Sequence, residues 1–251
     1  HNAIFQCLPR AVQDDSTAIH RSEFGIKKLW LTASGGGFLH KSYDEMKNAT
    51  VAQAVSHPNW NMGSKITVDS NTMMNKGLEL IEACHLFNLS DTQIDIAIHP
   101  QSIIHSMVEY VDGSILAQLS SPDMRVPIAH ALGYPNRMDG GVKSLSLFEM
   151  SALEFIRPDK NKFKSLDLVR HAIRTGTGAC VALNASNEVA VSAFLDGRIR
   201  LTDVADTVER VLDDDELGAD FGKSFDEPEG ILALDRRVRD RTDVYLRDLN
   251  D

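Results

Sequence analysis

The spacing of apolar residues changes along the chain, and this change limits the possible folds. Short apolar runs typical of strands lie within residues 26–119, and two of them flank Asp112-Gly113, a hairpin signal. From about residue 165 the apolar positions follow the helical period in four segments: 166–174, 179–195, 202–212 and 229–249. The sequence therefore predicts an α/β (α+β) domain with a mixed sheet, followed by an all-α C-terminal helical bundle.

The same pattern gives predicted boundaries. We expect the first domain at residues 1–145, a linker at 146–160 and the helical bundle at 161–251. Within the first domain we predict strands at 27–32, 66–68, 94–98, 102–111 and 114–119, with helices at 42–55 and 72–87. The hairpin formed by the last two strands offers a flat face suited to dimerisation.

Composition excludes several classes of partner. The 251-residue chain has a net charge of −10 and no basic face, which argues against a nucleic-acid partner. No stretch approaches the roughly 18 apolar residues of a membrane-spanning helix. Three scattered cysteines, Cys7, Cys84 and Cys180, suit a reducing compartment such as a bacterial-type cytoplasm.

The segment ITVDSNTMMNKGLE (residues 66–79) contains the most informative polar pattern. If a strand ends here and a helix begins, the first helical turn suits an anion such as phosphate. Ser70 and Asn75 could donate hydrogen bonds to it, and Lys76 adds a positive charge. Glu79 would lie on the same helix face, beside any metal bound next to a phosphosugar. An ordinary capped helix with a Lys–Glu surface pair remains the alternative.

Two further segments could contribute to the same site. Glycines at 35–37 follow a predicted strand, and Ser34 before them could bond a phosphate oxygen. Because Ser34 and Ser70 would both lie at carboxyl ends of strands, we expect them at one edge of the sheet. The loop from Ser56 to Ser64 resembles a lid, in which His57 could bond substrate and Trp60 could exclude water. A surface loop anchored by its tryptophan fits that segment equally well.

Longer strings resemble one enzyme family. HNAIFQ (1–6), SHPNWNMG (56–63), KITVDSNTMMNKGLE (65–79), HPQSIIHSMV (99–108), SPDMRVPIAHAL (121–132) and LNASNEVAVSAFL (183–195) are similar to 1-deoxy-D-xylulose 5-phosphate reductoisomerases. The resemblance implies the rearrangement and NADPH-dependent reduction of this phosphorylated ketose to 2-C-methyl-D-erythritol 4-phosphate, in non-mevalonate isoprenoid synthesis. It also implies a divalent metal (Mg²⁺, Mn²⁺ or Co²⁺) and a homodimer.

The resemblance also carries residue roles. It assigns substrate binding to Ser34, His57, Ser70, Asn75, Lys76 and Glu79. His57 and Glu79 would take part in catalysis, and Glu79 would ligate the metal. Trp60 and Met62 would belong to the lid that covers the substrate. Gly63 and Met124 would contact NADPH.

Two departures from the family pattern affect this expectation. The family has an acid-Ser-acid triplet with two metal ligands just before HNAIFQ, whereas this chain begins at His1 and contains no dinucleotide-binding glycine turn. We therefore expect the catalytic and C-terminal portion of an enzyme, inactive on its own. Gly37 also stands where the family pattern has proline. The alternatives are a non-catalytic phosphosugar-binding or dimerisation domain and an unrelated phosphosugar isomerase.

Overall fold

A computed structural model describes residues 1–56, 62–150, 152–223, 225 and 227–248. The chain divides into two compact units, residues 1–34 with 82–158 and residues 35–81 with 159–251. The α-helices of the described residues are α1 Asn2–Cys7, α2 Arg10–Asp14, α3 Tyr43–Lys47, α4 Val51–Ala54, α5 Ser64–Asn71, α6 Met74–Phe87, α7 Arg125–Gly133, α8 Ser165–Thr175, α9 Thr177–Leu195, α10 Asp203–Leu212, α11 Asp215–Gly218 and α12 Pro228–Asp248.

The first unit contains a mixed four-stranded sheet, as predicted. Its strands are β1 Ile26–Ala33, β2 Ile94–Ile98, β3 Ile104–Tyr110 and β4 Ile115–Leu119, in the order β2-β1-β3-β4. β1 pairs parallel with β2 and antiparallel with β3, and β3 pairs antiparallel with β4 through the predicted hairpin. Leu29 and Leu31 on β1 are buried and pair with Ile94 and Ile96 on β2. These apolar residues form the sheet's part of the core.

The second unit contains the predicted helical bundle. Its four longer helices, α8, α9, α10 and α12, match the four helical segments of the sequence, and α9 packs against the other three. Contrary to the sequence expectation, α9 is long and apolar enough by length and composition to cross a membrane, but most of it is buried. Leu183, Ala190 and Phe194 on α9 are at most 2% exposed. The apolar composition of α9 is therefore that of a core helix.

Two predictions of local structure were wrong. Residues 66–68 are not a strand but part of helix α5, whose buried residues Thr67, Val68 and Asn71 follow a helical spacing. β-branched residues suggested a strand, and packing of α5 on α9 outweighs that propensity. The predicted helix at 42–55 is instead two short helices, α3 and α4, because a capping box at Thr50 and Gln53 starts a new helix.

The compact units divide the chain differently from the predicted domains. Residues 35–81 belong with 159–251, although the sequence suggested that they belong with the sheet. The reason lies in α5, where Asp69 accepts a hydrogen bond from Asn187 of α9 at 3.0 Å. Asp69 is buried and also pairs with Lys65 at 2.8 Å, so its charge is compensated inside this unit.

Candidate functional site

The junction between α5 and α6 forms a tight corner. α5 ends at Asn71, Thr72 is its C-cap, and Met73 has a φ of +62° before α6 begins at Met74. A positive φ is rare for a residue with a side chain and costs on the order of 1–3 kcal/mol. Met73 is 1% exposed, so the strained residue is fixed by burial. The corner separates the eight-residue α5 from the 14-residue α6.

Three polar residues of α6 make contact at its first turns. Asn75 Nδ2 donates to Glu79 Oε1 at 2.8 Å, and Lys76 Nζ donates to Glu79 Oε2 at 2.6 Å. The Lys76 side chain is 12% exposed and that of Glu79 28%, so the pair differs from a freely solvated surface pair. Half-buried Ser70 lies near the end of α5, where its carbonyl accepts a hydrogen bond from Met73 N.

The glycine loop packs against this corner. Gly36 has a φ of +67°, and a Cβ there would lie 2.5 Å from Asn71 Oδ1 and 2.9 Å from the Ser70 carbonyl oxygen. Gly37 N donates to Asn71 Oδ1 at 2.6 Å. Only glycine at position 36 allows both the left-handed backbone and this close approach. The structure therefore joins two of the segments that the sequence singled out, the glycine loop and the end of α5 at Ser70.

The remaining predicted site residues are distributed as follows. Ser34 is half-buried, directly after β1, and is the last residue before the break between the two units. Met62 is half-buried and Gly63 is the exposed N-cap of α5. Met124, the N-cap of α7, is 60% exposed. His57 and Trp60, and with them most of the predicted lid, lie outside the described residues.

Two buried residues that support the corner were missing from the sequence interpretation. Asn71 is 0% exposed and contacts the glycine loop, and Asp69 anchors α5 to Asn187. The sequence interpretation placed both residues between the predicted strand at 66–68 and the predicted helix at 72–87, and the spacing gave no reason to assign either of them a contact. Their roles depend on partners that are distant in sequence: Gly37 is 34 positions from Asn71, and Asn187 is 118 positions from Asp69. No local pattern encodes such contacts.

The described residues do not by themselves complete a metal site. Among them, no group of three or more His, Cys, Asp or Glu side chains is placed to hold a metal ion. Glu79 provides one carboxylate at the corner, and each of its oxygens accepts a hydrogen bond. Hard divalent cations take about six oxygen ligands, so Glu79 alone fits such an ion poorly.

Family models match most of the chain. Residues 1–87 match the model described as 1-deoxy-D-xylulose 5-phosphate reductoisomerase C-terminal domain, and residues 119–241 match the DXP reductoisomerase C-terminal domain. A reductoisomerase of this name from Psychrobacter cryohalolentis is 61% identical over 98% of the chain, and one from Pseudomonas aeruginosa is 50% identical over 98%. The chain spans about three fifths of the length of these relatives, 61% and 60%.

Solved structures agree with these matches. A DOX-P reductoisomerase in complex with NADPH, fosmidomycin and magnesium superimposes on 100% of the chain with a TM-score of 0.98 and 56% identity; 62% of that protein is covered. The Zymomonas mobilis enzyme in complex with NADPH has a TM-score of 0.85 and 42% identity, with 98% of this chain and 60% of that one covered.

Proposed function

The chain belongs to the 1-deoxy-D-xylulose 5-phosphate reductoisomerase family, of which it carries the C-terminal domains, and on that premise we propose that it supplies the substrate-phosphate pocket of such an enzyme. The whole enzyme would convert 1-deoxy-D-xylulose 5-phosphate to 2-C-methyl-D-erythritol 4-phosphate, using NADPH and a divalent metal. Relatives solved with NADPH, fosmidomycin and magnesium support this choice of ligands.

One observation carries the proposal: a lysine, an amide and a carboxylate meet on the first turns of a helix. Asn75 and Lys76 already present donors to an anionic group, since both bind the Glu79 carboxylate. A substrate phosphate would take these donors together with the positive end of the α6 dipole. Half-buried Ser70 at the end of α5 would add a hydroxyl, and the family pattern adds Ser34.

The other predicted residues keep their proposed roles. Glu79, released from its donors when phosphate binds, would contact the substrate and the metal, with further metal ligands coming from outside this chain's described residues. His57 would contact the substrate, and Trp60 and Met62 would cover it and exclude water. Gly63 and Met124 would contact NADPH, whose chemistry is the transfer of a hydride to the aldehyde formed by the rearrangement.

A homodimer is proposed for the same enzyme. Edge strand β4 exposes apolar side chains on both faces, with Ile115 51% and Leu116 50% exposed. Contiguous exposed apolar residues of this kind mark interaction surfaces. A cytoplasmic location is supported by Cys7, Cys84 and Cys180, which form no disulfide with one another. The acidic chain gives no support for a nucleic-acid partner.

Phosphate binding tests the pocket directly. We expect inorganic phosphate, titrated into the ¹⁵N-labelled chain, to shift amide resonances at the start of α6. Lys76→Ala should weaken this binding at least about tenfold, because a charge-assisted hydrogen bond is worth about 1.5–3 kcal/mol. Lys41→Ala is the matched control, since Lys41 forms an exposed pair with Glu45 in the same unit. Equal binding by the wild-type and K76A chains would contradict the proposed pocket.

Turnover separates binding from the complete reaction. We propose that the 251-residue polypeptide alone has no measurable activity, because its described residues contain no group of three or more His, Cys, Asp or Glu side chains that could hold a metal ion. NADPH oxidation measured with substrate and Mg²⁺ or Mn²⁺ tests this. A rate near that of a relative of full length would refute the inactivity but not the pocket.

A further inference from the structure

The buried side-chain amide of Asn71 joins three segments at the corner between α5 and α6. Asn71 Oδ1 accepts from Gly37 N at 2.6 Å, and Asn71 Nδ2 donates to the Ala54 carbonyl oxygen at 2.7 Å. Asn71 and Ala54 are both 0% exposed, so the bond between them is shielded from water, whereas the bond to exposed Gly37 is part-buried. The residue uses its acceptor for one segment and a donor for another, which fixes the orientation of its side chain.

Two of the segments joined by Asn71 contain or adjoin residues of the proposed site. Gly37 closes the glycine loop that follows Ser34 in the chain. The third segment ends at Ala54 in α4, and the residues after it also pack against the loop, since the Ser56 carbonyl oxygen would lie 3.2 Å from a Cβ on Gly37. Asn71 itself directly follows Ser70 in the sequence.

We propose that Asn71 is a positioning residue for the substrate phosphate. It holds the glycine loop and the end of α4 against the corner, so that the groups which bind phosphate are arranged before the ligand arrives. Such preorganisation improves affinity because less conformational freedom is lost on binding. The inference rests on the proposed function, since it assigns to Asn71 the support of that same pocket.

The chemistry at position 71 requires an amide. Alanine would leave Gly37 N–H and the Ala54 carbonyl without their partner and would remove the atom against which Gly36 packs. The glycine loop, with a left-handed residue at 36, would then sample other conformations. We expect Asn71→Ala to raise the dissociation constant for inorganic phosphate about 3- to 10-fold.

The test compares Asn71→Ala with a variant that lowers stability elsewhere in the same unit. Val208 on α10 is 0% exposed and lies in the bundle core, so Val208→Ala should lower the urea midpoint of unfolding through a cavity. Phosphate affinity of both variants is measured by the ¹⁵N titration, and stability by urea unfolding. The proposal requires weaker binding in N71A and a wild-type dissociation constant, within about 1.5-fold, in V208A. Unchanged affinity in N71A, or equal losses in both variants, would overturn it.

Proline at position 37 provides a second readout, because it should change phosphate affinity in opposite directions in the wild-type and N71A backgrounds. Proline has no N–H to donate, and its ring restricts the loop covalently. In the wild-type background, Gly37→Pro should weaken phosphate binding, because Asn71 Oδ1 is left buried without its donor. In the N71A background the same change should recover affinity. A loss of similar size in both backgrounds would overturn the proposal; if proline prevents folding, the comparison of N71A with V208A decides alone.

The outcome for Lys76 distinguishes the two proposals. If the wild-type and K76A chains bind phosphate equally, the pocket itself is wrong and the proposed function fails. If K76A loses binding while N71A retains it, the pocket is correct and only the role of Asn71 is wrong.

Discussion

At the residue scale, Glu79 occupies the donors that the substrate phosphate would need. Lys76 and Asn75 both point their hydrogen-bond donors at its carboxylate, at 2.6 and 2.8 Å. A phosphate that binds here must compete for these donors and approach a negative charge. Glu79 therefore opposes binding of a bare anion even though the proposed reaction uses it, a cost that a metal beside the carboxylate would offset.

Glutamine at position 79 separates these two effects. Glu79→Gln removes the negative charge while keeping the shape of the side chain, so we expect inorganic phosphate to bind about 2- to 5-fold more tightly. The ¹⁵N titration measures the change. Glu45→Gln is the matched control, because Glu45 forms an exposed pair with Lys41 in the same unit and should leave phosphate affinity unchanged. Weaker binding by E79Q would mean that Glu79 orients its donors rather than competes for them.

Local spacing was sufficient to predict the Lys76–Glu79 contact, because residues three apart share a helix face. It was not sufficient for Asn71, whose two partners come from a glycine loop and from the end of another helix. A sequence pattern describes neighbours on one element. It does not describe which distant backbone groups need a partner once the chain is packed.

At the scale of elements, Gly77 sets how closely α6 can approach α8. A Cβ on Gly77 would lie 2.5 Å from Val169 Cγ2, well inside van der Waals contact. Gly77→Ala should therefore destabilise the protein by about 1–3 kcal/mol, in spite of the better helix propensity of alanine. Urea unfolding measures the loss.

Val169→Ala supplies the complementary control. Val169 is 0% exposed, and its truncation alone should be destabilising because it leaves a cavity. In the double variant, alanine at 77 would occupy the space left by valine. The double variant should therefore lose less stability than the sum of the losses in the two single variants. Additive losses would show that overpacking against Val169 is not the cause.

Asp214 connects α11 to α12. Its carboxylate caps α11 through the backbone amides of Glu216 and Leu217, and it accepts hydrogen bonds from Arg241 and Tyr245 on α12. Burial alone would raise the pKa of Asp214, but these hydrogen bonds outweigh it and lower the pKa from 3.8 to about 2. The charged form is therefore favoured by folding.

This shift predicts a pH dependence with a definite sign. Because the folded pKa lies below the unfolded pKa, the stabilisation is complete above about pH 4 and is lost as the pH falls towards 2. Asp214→Asn should reduce the free energy of unfolding at pH 7 by about 1–3 kcal/mol. Its difference from wild type should shrink below pH 4. Urea unfolding between pH 7 and pH 3 tests this, with exposed Asp240→Asn on α12 as the control. A difference that stays constant with pH would contradict the prediction.

At the scale of the whole molecule, β4 offers the surface for the proposed homodimer. Leu116→Arg places a charge on this edge strand, where Leu116 is 50% exposed in the isolated chain. We expect sedimentation equilibrium to detect a dimer of the wild-type chain whose dissociation constant rises at least about tenfold in L116R. Leu232→Arg on α12, at 53% exposure, is the control. Equal dissociation constants for wild type and L116R would exclude β4 from the interface.

The sequence by itself determined the fold class and most of the elements, except the segments at 42–55 and 66–68. Strand and helix periods gave the mixed sheet, the hairpin and the four bundle helices, because each of these elements repeats its buried positions at a fixed local interval. Long matching strings gave the family, which the comparisons confirm. These features depend on residues that are close together along the chain.

Only the tertiary structure decided where residues 35–81 belong and what joins the corner. β-branched Ile66-Thr67-Val68 has the local propensity of a strand, yet it forms a helix because one face is buried against α9. Asp69 and Asn71 acquire their roles from Asn187 and Gly37, which are far away in sequence. The physical reason is that buried polar groups must find partners in the packed state, and the identity of those partners depends on how the whole chain is folded.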